Sequence, residues 1–197
     1  SLPVVNVSWE DAARYCNWLS EKGGLEKVYQ EKNGELVAIS PIPSGYRLPT
    51  ESEWEWVARA QQKGGVRRYG WGNTFPPTQV TGNYADQSAS KTLSTVIDDY
   101  NDGFAAAAPT GSFRANHFGI FDLGGNVAEW SHDYYSVYPS LSDEIFIDPV
   151  GPTFGGNHVI RGASWMRGDI SNTRLSYRDR DNKKRADVGF RIAKYID

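Results

Sequence analysis

The sequence has few of the groups on which redox, metal and membrane chemistry most often depend. Only one of its 197 residues is a cysteine, Cys16, so the chain can form neither an internal disulfide nor a cysteine-based metal site. No run approaches the roughly 18 apolar residues of a membrane span. The formal net charge of −3 argues against the clustered positive charge that phosphate backbones require. We therefore expect no membrane span and no nucleic-acid partner.

Aromatic residues and glycine are plentiful instead. Seven Trp, eleven Tyr and twenty Gly indicate an aromatic core under long irregular loops and argue against a helix bundle. A hydrophobic content of 39% is that of a folded chain. The length suits one domain, which we assign to residues 1–197. The chain opens without a signal-peptide pattern, so we expect a processed or trimmed start.

The first helix is signalled by a cap and a stripe. Ser8 precedes it, and Asp11 at the third helical position forms a near capping box. Spacing of i, i+3, i+4 and i+7 predicts one buried face, made of Ala12, Tyr15, Cys16 and Leu19. Gly23-Gly24 should end the helix. Cys16 is thus predicted to be a packed core thiol, since a free cysteine usually behaves as a small buried hydrophobe.

A second helix and three short strands follow from similar signals. Thr50 and Glu53 form a capping box, and Gly64-Gly65 should end that helix. Its apolar face comprises Trp54, Val57 and Ala58, and we place Trp54, Trp56 and Trp130 in the core. Strands are predicted at 4–7, 158–160 and 188–193, with loops dominating from Tyr69 onward. This pattern indicates an α+β fold with few short strands.

Several motifs in order carry a family resemblance. They are residues 3–9, 45–55, 118–130, 161–165 and 188–191. Together they resemble the sulfatase-modifying-factor family, which includes formylglycine-generating enzyme, partner domains of sulfoxide synthases and a pyoverdine-maturation protein. The resemblance implies the formylglycine-generating-enzyme-like variant of the C-type lectin fold. The family's N-terminal strand region, ahead of Pro3, has no counterpart in the sequence, so we expect a fragment or an N-terminal piece not represented.

One oxygen-rich loop is a candidate calcium site. Asp122 and Glu129 lie seven residues apart, and the glycines between them let backbone carbonyls turn inward. Calcium takes six to eight oxygen ligands, which suits this set. From the residues alone, Asn126 and Glu129 could equally satisfy loop amides. The resemblance implies calcium ligands at Asp122, Gly125 (carbonyl), Val127 (carbonyl) and Glu129.

The resemblance also implies a calcium loop earlier in the chain, called the first loop below; the loop at residues 122–129 is the second. The ligands of the first loop would be Asn83, Tyr84 (carbonyl), Asp102 and Phe104 (carbonyl). The segment 98–103 is no EF-hand, because Tyr100 and Pro109 occupy positions where that motif needs Asp or Asn and Glu. An ordinary acidic turn remains open here. We expect one or two structural calcium ions.

The copper site of the namesake enzyme is missing. Formylglycine-generating enzyme binds copper(I) through two cysteines five residues apart, and thiolates suit that soft cation. Arg167 and Asn172 stand at the matching positions, and Ala128 replaces an aromatic residue beside the oxygen pocket. We therefore expect no copper and no formylglycine-generating oxidase activity. The histidines show no metal-ligand spacing either; they are His117, His132 and His158.

A polar surface remains where the family has its substrate groove. We predict that it binds a ligand through Ser164, Trp165, Arg167, Asp169, Asn172 and Tyr177. Arginine offers planar bidentate donors and tyrosine adds rigid contact area, as recognition surfaces often do. Three arginines could instead brace loops, namely Arg174, Arg178 and Arg191. The stretch 165–185 could also host sequence diversity, because retroelement-diversified receptors use this fold and vary in this region.

These observations favour a non-oxidase, calcium-stabilised binding or regulatory domain that recognises a peptide or protein partner. The alternative is an enzyme of the pyoverdine-maturation type acting on a peptide-derived small molecule. That enzyme would require Asp169, Tyr177 or His132 to converge in a closed pocket. A structural component of the envelope or a secretion apparatus is a third possibility. Family habit and calcium chemistry lean toward a bacterial periplasmic or cell-envelope setting.

Overall fold

The computed structural model describes residues 1–61, 65–138 and 146–195. Two early helices and a few short strands are joined by long irregular segments, so the predicted α+β fold class is confirmed. The helices are α1 (Trp9–Lys22) and α2 (Glu51–Arg59), with a short 3-10 turn at Gln87–Ala89. The strands are β1 (Tyr29–Lys32), β2 (Glu35–Ala38), β3 (Ala128–Tyr134), β4 (His158–Arg161), β5 (Arg178–Asp181) and β6 (Val188–Phe190).

Four strands form the main sheet, in the order β5-β4-β3-β6. Strand β3 pairs antiparallel with β4 and parallel with β6, while β4 pairs antiparallel with β5. Because β3 has a neighbour on each side and α1 packs over the sheet, nearly all of it is buried. Strands β1 and β2 form a separate hairpin. Its two-residue turn uses Asn33 and Gly34, both at positive φ, as a tight hairpin turn requires.

Both predicted capping boxes are present. The Ser8 Oγ accepts from the Asp11 N–H, and the Thr50 Oγ1 accepts from the Glu53 N–H. Helix α1 ends before Gly23 as predicted. Helix α2 ends at Arg59, five residues before the predicted Gly64-Gly65 stop, of which Gly64 lies outside the described residues. It ends early because Ala60 turns extended and bridges to Val66.

The buried face of α1 is rotated from the predicted one. Tyr15 is 44% exposed, and Leu19 is half-buried. The buried residues are Trp9, Ala12, Ala13, Cys16 and Ser20. The Trp9 indole sets this face, because its N–H donates to the Ser131 carbonyl inside the core (2.9 Å). Cys16 is fully buried as predicted, and burial raises the pKa of its thiol to about 12.

Two other predictions need correction. Residues 4–7 form no strand, because Asn6 adopts a positive φ of 57° and donates its N–H to the Arg185 carbonyl. Trp56 is 60% exposed, whereas Trp54 and Trp130 are core residues as predicted. The predicted strand at 188–193 is β6 followed by a single bridge from Ala193 to Arg47. Within the described part of the chain, no helix is both long and apolar enough to cross a membrane.

Candidate functional site

The first predicted calcium loop is assembled around Asp102. Its carboxylate accepts from the Tyr84 N–H and the Phe104 N–H, both at 2.9 Å. Asn83 is fully buried, and its Nδ2 donates to the Ala106 carbonyl (2.8 Å) and to the Asn126 Oδ1 (3.1 Å). Its Oδ1 is buried and accepts no hydrogen bond from any described residue. The structure thus brings the predicted residues together and leaves one enclosed oxygen unpaired.

This first loop is also short of positive charge. The Asp102 N–H donates to the carboxylate of Asp86, which is fully buried. Burial raises the pKa of Asp102 to about 6, and the nearby Asp86 charge adds to that rise. Among residues 1–61, 65–138 and 146–195, neither carboxylate has a Lys or Arg nitrogen within 4.0 Å. A buried carboxylate beside a partly buried one, together with an unpaired amide oxygen, fits a hard cation such as calcium.

The second predicted loop contains a cation of its own. The Arg191 guanidinium donates to both oxygens of Glu129 (2.6 Å each), and the Trp54 indole N–H donates to Glu129 Oε2 (2.7 Å). Asp122 accepts from the Gly111 N–H (2.8 Å), but its Oδ1 is buried without a partner among the described residues. Asp122 therefore fits a cation site, whereas the Glu129 carboxylate is already neutralised.

Asn126 joins the two loops. Its Oδ1 accepts from the Ala108 N–H, and its Nδ2 donates to the Ala108 carbonyl. Its backbone N–H donates to the Asn83 carbonyl (2.8 Å). Asn126 thus satisfies loop amides, which was one of the two interpretations of the sequence. Groups of three or more His, Cys, Asp or Glu side chains suited to a metal are absent from the described residues.

Ser164 lies beneath the predicted recognition surface. It is fully buried, and its hydroxyl donates to Asp187 Oδ2 (2.9 Å). Arg185 pairs with the same carboxylate through two hydrogen bonds and also donates to Asp179 (2.9 Å). Burial acts to raise the pKa of Asp187, but the hydrogen bonds from Arg185 and Ser164 and the charge of Arg185 together lower it. Ser164 is therefore part of a buried polar network and is not exposed to a ligand.

Asp169 and Asn172 bond to each other. The Asn172 Nδ2 donates to Asp169 Oδ2 (2.5 Å), and the Asn172 backbone N–H donates to Asp169 Oδ1 (2.9 Å). The Ser171 N–H donates to the same oxygen. This is a local Asx-type turn, in which a short acidic side chain satisfies the following backbone amides. Both side chains shape the loop and remain partly exposed.

The outer part of the surface comprises Trp165, Arg167 and Tyr177. The Arg167 guanidinium is 34% exposed and lies 3.6 Å from Asp179 Oδ2. Burial raises the pKa of Tyr177, and Asp179 adds to the effect, so its hydroxyl stays protonated. The Trp165 backbone N–H donates to the Asn126 carbonyl, while its indole nitrogen is buried without a described partner. Arg167 and Tyr177 therefore present hydrogen-bond donors at this surface, whereas the indole N–H of Trp165 is enclosed.

Some arginines near this surface are held by ion pairs within the fold, and others are exposed. Arg178 pairs with both oxygens of Glu51 (2.5 and 2.7 Å), and Arg191 pairs with Glu129, so both brace the fold. Arg174 is exposed. Sequence reasoning missed Arg161, which is fully buried and donates to Glu51 (2.8 Å) and Glu55 (2.9 Å). No local pattern marks such a residue, because its partners lie more than 100 positions away.

His132 does not join the groove side chains. Its Nδ1 lies 3.1 Å from the Tyr29 hydroxyl, and burial lowers its pKa to about 4. It also lines a cavity of about 90 Å³ with Trp9 and His158. Within the described chain, no hydrogen bond connects His132, Asp169 and Tyr177.

Fold and site together define a loop-rich α+β domain of the formylglycine-generating-enzyme type, with two helices ahead of a small mixed sheet. A profile of the Sulfatase-modifying factor enzyme 1-like domain family matches residues 1–196. The chain belongs to that family.

Its relatives include active and inactive enzymes. The chain is 35% identical over 166 residues to formylglycine-generating enzyme of Mus musculus, covering 83% of this chain and 35% of the relative. It is equally identical to inactive C-alpha-formylglycine-generating enzyme 2 of the same organism, covering 84% and 38%. The chain thus spans little more than a third of these relatives. Treponema denticola variable protein 1 superposes with a TM-score of 0.75 at 29% identity, covering 98% of this chain and 71% of that one.

Proposed function

We propose that this chain is a non-oxidase, calcium-stabilised binding domain that recognises a peptide or protein partner through its Trp165–Tyr177 surface. One observation carries the proposal. Where formylglycine-generating enzyme needs two sulfur ligands for copper, this chain has a partly exposed guanidinium at Arg167 and an amide at Asn172. Neither is a soft donor, and both are hydrogen-bonding groups suited to peptide carbonyls and carboxylates.

The supporting network beneath the surface favours recognition over chemistry. Hydrogen bonds of 2.9–3.0 Å connect Ser164, Asp187, Arg185 and Asp179. A side chain whose rotamer is fixed in this way loses less entropy when a ligand binds. Arg167 lies at the outer end of this network, beside Asp179. The surface therefore offers Arg167, Trp165 and Tyr177 on a rigid base, as binding hot spots require.

The remaining cysteine supports the loss of oxidase chemistry. Cys16 is enclosed in helix α1, and burial raises its pKa to about 12. Copper binding and oxidation both need a thiolate, which that pKa disfavours at neutral pH.

The calcium part of the proposal depends on the enclosed unpaired oxygens. Asn83 Oδ1 in the first loop and Asp122 Oδ1 in the second are each buried without a described donor. Asn83 and Asp102, with the Tyr84 and Phe104 carbonyls, would hold calcium in the first loop. A bound calcium ion would neutralise Asp86 and Asp102 and tie the loop together. Calcium binding in the second loop stays a prediction, because Arg191 already pairs with Glu129. Its ligands would be Asp122, Gly125, Val127 and Glu129.

The alternative of a pyoverdine-maturation-type enzyme has less support. It required acid–base groups that converge in a closed pocket. His132 instead bonds to Tyr29 in the core, and Asp169 is used by its own turn. No observation in the described residues favours that alternative over binding.

The experiment is a peptide-array and pull-down comparison of the wild type with Arg167→Ala and Asn172→Ala. The matched control is Arg14→Ala, since Arg14 is also an exposed, ion-paired arginine but lies on helix α1. We expect partners that are retained by the control and lost with Arg167→Ala. Capture that is equal across all four proteins, or no capture at all, would contradict the proposed surface.

A further inference from the structure

A cleft of about 850 Å³ lies away from the groove residues. It is within the size range of small-molecule sites. Its lining includes none of the six predicted groove residues; it comprises 18 described residues from the segments 61–84 and 114–125. The proposed recognition surface therefore does not use this cleft, whereas Tyr84, Asp122 and Gly125 of the predicted calcium loops line it.

The floor of the cleft is a tyrosine enclosed by glycines. A Cβ atom built at Gly70, Gly82 or Gly125 would lie 2.9–3.1 Å from the Tyr84 ring or hydroxyl. All three glycines and Tyr84 line the cleft. The Tyr84 hydroxyl forms no hydrogen bond with a described residue, so its O–H is free to donate to a ligand in the cleft. Any larger residue at these positions would displace the ring that forms the floor.

Aromatic side chains form part of the cleft wall; one is held in place by its neighbours, and another is exposed. Trp71 stacks on Tyr69 at 4.8 Å and meets the Tyr84 ring edge-on at 5.0 Å. Its indole N–H donates to the Thr74 carbonyl (2.7 Å), which fixes the ring's orientation. Phe121 is 47% exposed at the same cleft. These rings offer a flat ligand an apolar surface with little rotamer entropy to lose.

The charge of the lining is positive in an acidic protein. Arg67 and Arg114 line the cleft, and Asp122 is the only carboxylate among its described lining residues. Neither guanidinium donates a hydrogen bond or pairs with a carboxylate among the described residues. The Asp122 carboxylate is turned inward, with one oxygen on the Gly111 N–H and the other enclosed. The cleft therefore offers two free guanidinium groups to an anion.

We propose that this cleft binds a small organic anion with a flat apolar body. Its carboxylate or phosphate group would face Arg67 and Arg114, and its ring would lie against Trp71 and Phe121 above the Tyr84 hydroxyl. Carboxylate and phosphate share the planar, bidentate recognition that arginine provides. The site is separate from the Trp165–Tyr177 surface, so either proposal can fail without the other.

The test is a chemical-shift titration of the calcium-loaded protein with four probes. Benzoate and phenyl phosphate distinguish a carboxylate from a phosphate, benzyl alcohol removes the charge, and inorganic phosphate removes the ring. The variants are Arg67→Gln, Arg114→Gln and Tyr84→Phe. Arg68→Gln is the matched control, because Arg68 is an exposed neighbour that does not line the cleft. Arg167→Ala serves as the control for the other surface.

We expect an anionic aromatic probe to bind at least about ten-fold more tightly than benzyl alcohol or inorganic phosphate. Each arginine variant should raise the dissociation constant of the anionic aromatic probe about ten-fold, because it removes one charge-assisted hydrogen bond. Arg68→Gln and Arg167→Ala should leave it unchanged. Equal binding of benzoate, phenyl phosphate and benzyl alcohol would overturn the proposal. Equal weakening by Arg68→Gln, or no response to either aromatic anion, would also overturn it. If an arginine variant does not fold, Tyr84→Phe must weaken binding for the proposal to survive.

Discussion

The two predicted calcium loops differ in what balances their carboxylates. In the first, Asp86 and Asp102 lie together with no Lys or Arg nitrogen within 4.0 Å among the described residues. In the second, Arg191 pairs with Glu129 through two hydrogen bonds of 2.6 Å. We therefore propose that the first loop takes a cation from solution, whereas in the second loop Arg191, directly after strand β6, supplies the positive charge.

This difference shows what a local motif can and cannot specify. The spacing of Asp122 and Glu129 identifies an oxygen-rich loop, but their neutralising partner lies 62 residues after Glu129. We accordingly expect calcium to control the stability of the first loop, and the Arg191 ion pair to control that of the second. Glu129→Ala and the removal of calcium test this contrast directly, whereas Asp133 and Arg167 lie outside both loops and test buried charge and recognition; the largest expected effect comes first.

Glu129→Ala should be the most destabilising change. It leaves the Arg191 guanidinium and the Trp54 indole N–H without their acceptor in a buried setting. Breaking a buried ion pair in this way costs about 3–5 kcal/mol. Denaturant unfolding should show that loss equally with calcium and with a chelator. A loss seen only with calcium would instead make Glu129 a metal ligand. The control is Glu10→Ala, an exposed partner of Arg14 that should cost below about 0.5 kcal/mol.

The pH dependence of Asp133 should give the next largest effect. Asp133 is another buried carboxyl without a described cation, and burial raises its pKa from 3.8 to about 7, with Glu51 adding to the rise. The folded state therefore holds this proton more tightly than the unfolded state. Stability should fall as pH rises from about 4 to about 7, by at most about 4 kcal/mol from this group. Asp133→Asn should flatten that slope in urea unfolding at several pH values. An unchanged slope would contradict the assignment.

Removal of calcium should have a smaller but specific effect. A ligand at about 100 times its dissociation constant stabilises a protein by about 2.7 kcal/mol, so chelation should lower the stability by about that amount. Calorimetry should then show a fall in melting temperature, and added calcium should restore it. Asn83→Ala should abolish the response to chelation, because it removes the unpaired buried oxygen. Wild type and Asn83→Ala responding alike would rule out the first loop as the site.

Arg167→Ala should have the smallest effect on stability. Its guanidinium is partly exposed, and its contact with Asp179 is long at 3.6 Å, so we expect a change below about 1 kcal/mol. Its effect on partner capture should be large in comparison. A large loss of stability with no change in capture would make Arg167 a structural residue.

Local sequence signals predicted the helices, whereas strand β3, which depends on long-range contacts, was not predicted. Capping boxes at Ser8 and Thr50 act within one turn, so sequence reasoning located both helix starts. Strand β3 gave no alternating pattern, since its buried Ser131, His132 and Asp133 are polar. The Tyr29 hydroxyl bonds to His132, and the Glu51 N–H donates to Asp133, across large sequence separations.

The candidate site likewise combines a local turn with features that depend on long-range contacts. The Asp169–Asn172 turn is local, because the Asp169 side chain accepts from the backbone amides of Ser171 and Asn172, two and three residues further on, as in an Asx-type turn. The burial of Ser164 against Asp187 depends on residues 23 positions apart and has no local signature. The cleft on Tyr84 is also invisible in the sequence, because its lining comes from separate segments.

The most direct test of the central claim is to measure copper content and aldehyde formation in one experiment. The purified protein would be loaded with copper(I), desalted and incubated with oxygen and a cysteine-containing peptide, followed by mass spectrometry of the peptide. The account predicts no stoichiometric copper and no formylglycine, because Arg167 and Asn172 supply no thiolate. One copper ion per chain together with conversion of the peptide cysteine to the aldehyde would contradict it.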